Sequence, residues 1–239
     1  MNNEERQLFY DKEGKAYKPQ AIEEFGEFCI QYPYKQDMPR YQFTIQHLIA
    51  MNLQRQGAGP NRYLRKLKVL DIGCQNGAFD VGMANLGFDV TAVDLSDDYL
   101  EITNNSLKKF SWHDAWRVVK ADINGDISEI MKLKNFDVIV ALEVVEHLPD
   151  LENFFTAVSA LAFAKSSKLI INVPGGDSWK SDPGHLLSFF QADELWLPDT
   201  HRTMHVVPEC FERDGWKILD CQKHVWDEEN YWYAIALER

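Results

Sequence analysis

From Leu67 onward, short apolar segments alternate with helical ones, and this alternation restricts the chain to few folds. Five candidate strands lie at 68–72, 89–93, 116–120, 136–142 and 169–173, with helical stretches between them at 78–86, 98–109, 127–133 and 151–164. The alternation is typical of a doubly wound α/β fold with a mostly parallel sheet. Two more strands, at 217–224 and 231–237, follow a helix around 207–213. No long helix separates them, so we predict a seven-stranded sheet with an antiparallel pair at its edge.

The first 64 residues have a different pattern. Residues 20–30 place apolar side chains on one helical face, and a second helix with a broad apolar stripe fits Arg40 to about Gln56. Glycine and proline then interrupt the chain at 57–60. We predict an N-terminal helical cap at 1–64 and a single α/β folding unit at 65–239.

Charge and composition narrow the function. The chain has 239 residues, with 25 Lys+Arg against 37 Asp+Glu, and its basic residues are dispersed. Nucleic-acid binding depends on clustered Lys and Arg, so we expect no long nucleic acid as a partner. No apolar run approaches the ~18 residues of a membrane span, the first residues do not resemble a signal peptide, and the four cysteines form no disulfide framework. We expect a cytoplasmic protein; its oligomeric state is not indicated.

A glycine-containing turn follows the first strand, in the segment Val69–Phe79 (VLDIGCQNGAF). Glycines let a backbone approach a ligand closely at a helix N-terminus. The segment is not a P-loop, because no Gly-Lys-Ser/Thr follows. It is not a dinucleotide loop of the form G-x-G-x-x-G either, because only Gly73 and Gly77 are present. The negative charge of Asp71 would repel a pyrophosphate, whereas it would attract an amine.

Two further acids follow the next two strands. Asp94 ends the second strand, 23 residues after Asp71, and Asp122 follows the third. An acid at the end of the second strand can accept both hydroxyls of a ribose, and ligands of open α/β sheets bind at the carboxyl ends of the strands. Asp122 and Ile123 stand where an adenine amino group and ring face would lie. These acids predict a nucleoside site.

Together these segments resemble a class I S-adenosylmethionine-dependent methyltransferase of the Methyltransf-11/23-like subgroup, which has a Rossmann-like sheet. The matching segments are 69–79, 90–96, 120–123 and 136–148. The resemblance implies that Asp71 and Gly73 face the methionine part of the cofactor, Asp94 the ribose, Leu95 and Ile123 the adenine, and Asp122 its amino group. Cys74, Gly77 and Leu142 complete the predicted cofactor set. Gln75 departs from the family, which usually has glycine there.

The segment after the fourth strand contains Glu143, Glu146 and His147, and it has three interpretations. Glu143 and Glu146 share a face on a helical turn, with His147 beside them. In the first, the segment lines the cofactor pocket, as in the subgroup. In the second, His147 is a general base for a substrate hydroxyl. In the third, a divalent metal is held by Glu143, Glu146, His147 and His185, as in small-RNA 3′-end methyltransferases. We favour a site without metal.

The acceptor side is predicted after the fifth strand. The turn-rich segment 172–196 carries His185, a second candidate base, and aromatic residues. Tyr32, Tyr34 and Tyr41 of the cap are expected to close over the pocket. The leading prediction is an enzyme that transfers a methyl group from S-adenosylmethionine to a small-molecule or sugar hydroxyl, with S-adenosylhomocysteine as the product. The alternatives are a metal-assisted RNA or nucleotide O-methyltransferase and a cofactor-binding regulatory protein without turnover.

Overall fold

The computed structural model describes most of the α/β region and one helix before it. The described residues are 39–56, 66–163, 166–176, 208–225 and 230–239, with Leu8, Asp11, Lys12 and Asp227 as isolated positions. The predicted helix at 20–30 and the segment 177–207, which contains His185, lie outside them. None of the described helices is long and apolar enough to cross a membrane.

Seven strands form one sheet, as the alternation predicts. The strands are β1 (Lys68–Ile72), β2 (Asp89–Asp94), β3 (Trp116–Lys120), β4 (Val138–Leu142), β5 (Lys168–Gly176), β6 (Lys217–Val225) and β7 (Asn230–Glu238). Their order is β3-β2-β1-β4-β5-β7-β6, with β1 to β5 parallel. Strand β7 pairs antiparallel with both β5 and β6, which confirms the predicted edge pair. The chain reverses its winding between β1 and β4, which is where ligands of such sheets bind.

Helices cover both faces of the sheet. They are α1 (Pro39–Gln56), α2 (Ala78–Asn85), α3 (Asp97–Phe110), α4 (Ser128–Met131) and α5 (Leu151–Leu161). The buried cluster that contains residues of β1, β4, β5 and β7 also contains three residues of α1, namely Phe43, Leu48 and Met51. In addition, the Nε2 atom of His47 in α1 lies 3.2 Å from the Oδ2 atom of Asp220 in β6. Helix α1 therefore packs directly on the sheet; the division of the chain at residue 64 stays a prediction.

Several predicted elements differ in extent from the structure, three of them as follows. The helix expected at 127–133 is the single turn α4. The amides of Lys132 and Leu133 donate to the carbonyl groups three residues earlier, which is the 3₁₀ pattern and ends the α-helix. The helix expected around 207–213 is a 3₁₀ turn, Pro208–Phe211. The strand expected from Phe136 begins at Val138, since Phe136 forms only an isolated bridge to Ala162.

Strand β5 runs past its expected end at residue 173, through Pro174 to Gly176. Its pairing with β4 stops at Asn172, whereas its pairing with β7 continues to Gly176. Proline is accepted in a strand where one side lacks a neighbour. The extension carries β5 beyond the parallel strands, at the edge where the candidate site lies.

Candidate functional site

A cavity with two lobes lies at the carboxyl ends of the parallel strands. The first lobe holds about 720 Å³ and the second about 510 Å³, counting space open to solvent. Gly73, Gln75 and Glu143 line both lobes, so the lobes meet between the glycine turn and the end of β4. The cavity therefore occupies the place that the strand-end acids predict.

The turn after β1 is shaped by close contacts. Gly73 has a φ of 74°, and a Cβ at this position would overlap the Val144 side chain. The amides of Gly73 and Cys74 both donate to the Val93 carbonyl, at 2.8 and 3.0 Å. The turn is thus fastened to the end of β2, and its backbone borders both lobes.

Asp94 ends β2 and lines the first lobe. Its side chain is buried; Oδ1 accepts the Ser96 amide at 2.9 Å and Oδ2 accepts the Gln75 amide at 3.1 Å. Burial raises the pKa of Asp94 to about 6, although these backbone donors pull it down. A carboxylate has about four acceptor positions, so acceptor capacity remains for a ligand with hydroxyl groups.

The remainder of the first lobe combines apolar walls with one more acid. Leu95, Ile123 and Tyr99 line it, and Ile123 and Tyr99 are buried. Asp122 follows β3, and its Oδ1 accepts the Asn124 amide at 3.0 Å, which fixes the carboxyl at the lobe. Apolar walls and a lateral acceptor fit a flat heterocycle with an amino group.

The second lobe is lined by Asp71 from β1, by Cys74 and by Leu142 from β4. Tyr41 of α1 also lines it, with its ring centroid 5.0 Å from that of Phe79. Helix α1 therefore contributes the Tyr41 side chain to the cavity, while Tyr32 and Tyr34 lie outside the described residues.

Behind Asp71 lies a second buried acid, Asp80 of α2. Burial raises the pKa of Asp80 to about 8, and burial together with the nearby Asp80 raises the pKa of Asp71 well above its usual range. Asp94 adds negative charge to both. A cationic ligand group in the second lobe would favour the ionised form of Asp71.

The segment after β4 does not form the expected helical face. Glu143 has a φ of 55° and precedes a single 3₁₀ turn, Val145–His147. Glu143 and His147 line the cavity, whereas Glu146 is fully buried and does not. The predicted shared face of Glu143 and Glu146 is therefore wrong, because the left-handed residue ends the strand before the turn begins.

A model of a protein family described as a methyltransferase domain matches residues 40–219, three quarters of the chain. The chain belongs to this family. Together with its strand order, this makes it a class I S-adenosylmethionine-dependent methyltransferase, as its motifs predict.

Curated relatives carry more specific names. The ubiquinone biosynthesis O-methyltransferase of Rhizobium leguminosarum bv. trifolii (strain WSM2304) is 31% identical over 167 residues, covering 66% of this chain and 62% of the relative. That of Brucella ovis (strain ATCC 25840 / 63/290 / NCTC 10512) is 30% identical over 148 residues, covering 59% and 57%. This methyltransferase thus matches under two thirds of these relatives' length.

Solved structures share the fold. An S-adenosylmethionine-dependent methyltransferase from Clostridium acetobutylicum ATCC 824 superposes with a TM-score of 0.58 at 15% identity, covering 96% of this chain and 98% of the other. Magnesium protoporphyrin IX methyltransferase from Synechocystis PCC 6803, with bound S-adenosylmethionine, gives 0.53 at 15% identity, covering 95% and 97%. At such identities the comparison establishes the fold alone.

The structure brings most of the methyltransferase's predicted site residues to one cavity. Asp94, Leu95, Asp122, Ile123 and His147 line the first lobe, Asp71, Cys74 and Leu142 the second, and Gly73 both. Gly77 lines neither lobe; it is the N-cap residue of α2 and packs against Thr103. His185 lies outside the described residues. Among the residues that are described, no group of three or more His, Cys, Asp or Glu side chains is placed to hold a metal ion.

Sequence reasoning missed several residues of the cavity, among them Tyr99 and Val144. Tyr99 follows the N-cap Ser96 by three residues, and that capping position was a usable signal, because it places the first turn of α3 beside the end of β2. The position of Val144 over Gly73 depends on the left-handed Glu143, which no local pattern indicates.

Proposed function

We propose that this protein transfers a methyl group from S-adenosylmethionine to a hydroxyl group of a small organic molecule. The main support is that His147 and Glu143 line the same cavity as the acids and apolar walls suited to an adenosine. The names of the curated relatives favour oxygen as the acceptor atom. Ring hydroxyls of quinone precursors are therefore the first acceptors to test, and sugar hydroxyls the second.

The first lobe suits the adenosine part of the cofactor. In this proposal Asp94 accepts the two ribose hydroxyls, Leu95 and Ile123 flank the adenine, and Asp122 accepts from its amino group. Asp94 fits this role because its carboxylate is fixed by two backbone amides and still has acceptor capacity.

The second lobe suits the methionine part. Asp71 faces this lobe and offers a carboxylate to an ammonium group, while Gly73 lets the backbone approach without a side chain. Cys74 and Leu142 add uncharged wall surface. A cationic partner would favour the ionised form of Asp71 against the burial and the neighbouring acids that raise its pKa.

When bound, S-adenosylmethionine supplies an activated sulfonium methyl group, so the chain needs mainly to align an acceptor and remove its proton. His147 is the proposed base, because it lines the cavity and an imidazole nitrogen can accept the proton of a hydroxyl group. His185 stays a second candidate base.

The test is an acceptor screen that measures S-adenosylhomocysteine formation, with and without EDTA. His147→Asn should lower kcat by about 10²- to 10⁴-fold while leaving cofactor affinity nearly unchanged. His113→Asn, at an exposed position, is the matched control. If His147→Asn weakened cofactor binding but not kcat, His147 would be a pocket-lining residue only. Loss of turnover in EDTA would favour the metal-assisted alternative.

A further inference from the structure

Thr103 is a fully buried polar residue on α3 that does not line the cavity. Its Oγ1 donates to the Gln75 carbonyl at 2.7 Å, a contact between residues 28 positions apart. Two further contacts of Thr103 are with the glycine turn. The Cys74 Sγ lies 3.6 Å from Oγ1, and a Cβ on Gly77 would stand 2.8 Å from the Thr103 Cγ2.

The residue that Thr103 binds is the one that departs from the family's pattern. Gln75 has a φ of 47°, in the left-handed region that glycine adopts without strain and other residues adopt at a cost. Its side chain is exposed, so side-chain packing does not offset the strain of this conformation. The backbone contacts of Gln75 must therefore hold it.

Those contacts act at both ends of Gln75. Its amide donates to the Asp94 Oδ2 at 3.1 Å, and its carbonyl accepts from Thr103. Thr103 is thereby connected to the acid proposed to bind the ribose, through one residue of backbone. If the carbonyl contact were lost, Gln75 could leave the left-handed region and take its amide away from Asp94.

The direction of the hydrogen bonds is determined by the available protons. The single proton of the Thr103 hydroxyl goes to the Gln75 carbonyl, which can only accept. The Cys74 thiol must then donate to the Thr103 Oγ1. This fits its surroundings, because burial and the nearby acids raise the pKa of Cys74 and keep it protonated.

We infer that Thr103 is a positioning residue of the cofactor site: its hydroxyl holds Gln75 in the left-handed conformation and so keeps the Asp94 carboxylate in place for the ribose. This inference rests on the proposed function. The hydroxyl and the methyl of Thr103 make separate contacts, with Gln75 and with Gly77, so two conservative variants separate them.

The experiment is calorimetric titration of the full chain with S-adenosylhomocysteine. Thr103→Val keeps the methyl and removes the hydroxyl, and we expect it to weaken binding roughly fivefold or more. Thr103→Ser keeps the hydroxyl and removes the methyl, and it should bind within about twofold of the original chain. Thermal unfolding without ligand monitors stability in each variant.

A double-mutant cycle with Gln75→Gly tests whether Thr103→Val weakens binding through Gln75. Glycine has no left-handed strain to be held, so Thr103→Val should weaken binding much less when it is combined with Gln75→Gly. An equal loss with and without Gln75→Gly, or unchanged binding by Thr103→Val alone, would overturn the inference. Failure of the original chain to bind would instead refute the proposed function.

Discussion

Replacing Asp94 tests the proposed ribose contact. Its carboxylate is buried at the end of β2, held by the Ser96 and Gln75 amides, and oriented at the first lobe. Asp94→Ala removes an acceptor proposed to take two hydroxyl donors. Hydrogen bonds to a charged group contribute about 1.5–3 kcal/mol, so we expect S-adenosylhomocysteine affinity to fall by roughly 10- to 150-fold.

The assay is calorimetric titration at a pH of about 7.5, where the Asp94 carboxylate is ionised, with thermal unfolding of the ligand-free chain beside it. Asp94→Ala removes hydrogen bonds to backbone amides, which lowers the stability of the fold. It also removes a carboxylate whose ionised form is penalised by burial, which raises the stability, so the net loss should be small. Asp89→Ala is the matched control. Asp89 begins the same strand, pairs with Arg117 at 2.8 Å at a partly exposed site, and should leave affinity unchanged.

The same acid predicts the pH dependence of binding. With the pKa of Asp94 at about 6, the carboxylate is ionised above this pH and accepts both hydroxyls. Below it, a proton occupies one oxygen, so affinity should fall as the pH is lowered through about 6. Asp94→Ala should lack the part of this fall that comes from Asp94, and any fall that remains would come from Asp71, whose pKa is also raised. If Asp94→Ala has normal stability and its affinity for S-adenosylhomocysteine changes less than about threefold, the assignment of Asp94 to the ribose is refuted.

Three other changes test the surroundings of the site. Gly73→Ala, at a φ of 74° and against Val144, should weaken cofactor binding roughly tenfold or more in the same titration, and unchanged affinity would contradict the close approach. The original chain should lose stability as the pH rises, because an acid whose pKa is raised to about 8 stabilises the fold at acidic pH and that contribution is lost as the pH rises through 8. Asp80→Asn should show a smaller loss of stability over the same pH range. Denaturant unfolding between about pH 5 and 9 measures this, and parallel profiles for both proteins would argue against the buried pair with Asp71. Asp150→Ala removes a cap that accepts two amides at 2.9 and 3.1 Å; urea unfolding should show a loss of about 1 kcal/mol with cofactor affinity intact, and unchanged stability would contradict the capping role.

The sheet and the strand-end acids could be predicted because they depend on local patterns. Apolar segments of strand length separated by helical ones specify parallel winding, and parallel strands bring their carboxyl ends to one edge. Asp71, Asp94 and Asp122 therefore meet at that edge although long stretches of chain separate them.

Other parts of the site depend on contacts that no local pattern contains. The left-handed Glu143 separates the strand from the turn and so divides Glu143 from Glu146, which helical spacing would place together. The bond from Thr103 to Gln75 joins two elements, and Asp80 reads in the sequence as an ordinary acid in a helix's first turn until its burial beside Asp71 is seen.

Titration of the unmodified chain with S-adenosylmethionine and with S-adenosylhomocysteine, each with and without EDTA, shows whether the cavity binds this cofactor. We predict saturable binding of both ligands with one site per chain, in the micromolar range and unchanged by EDTA. Absence of binding to either ligand under any of these conditions would contradict the proposed cofactor site and leave the cavity without its proposed cofactor.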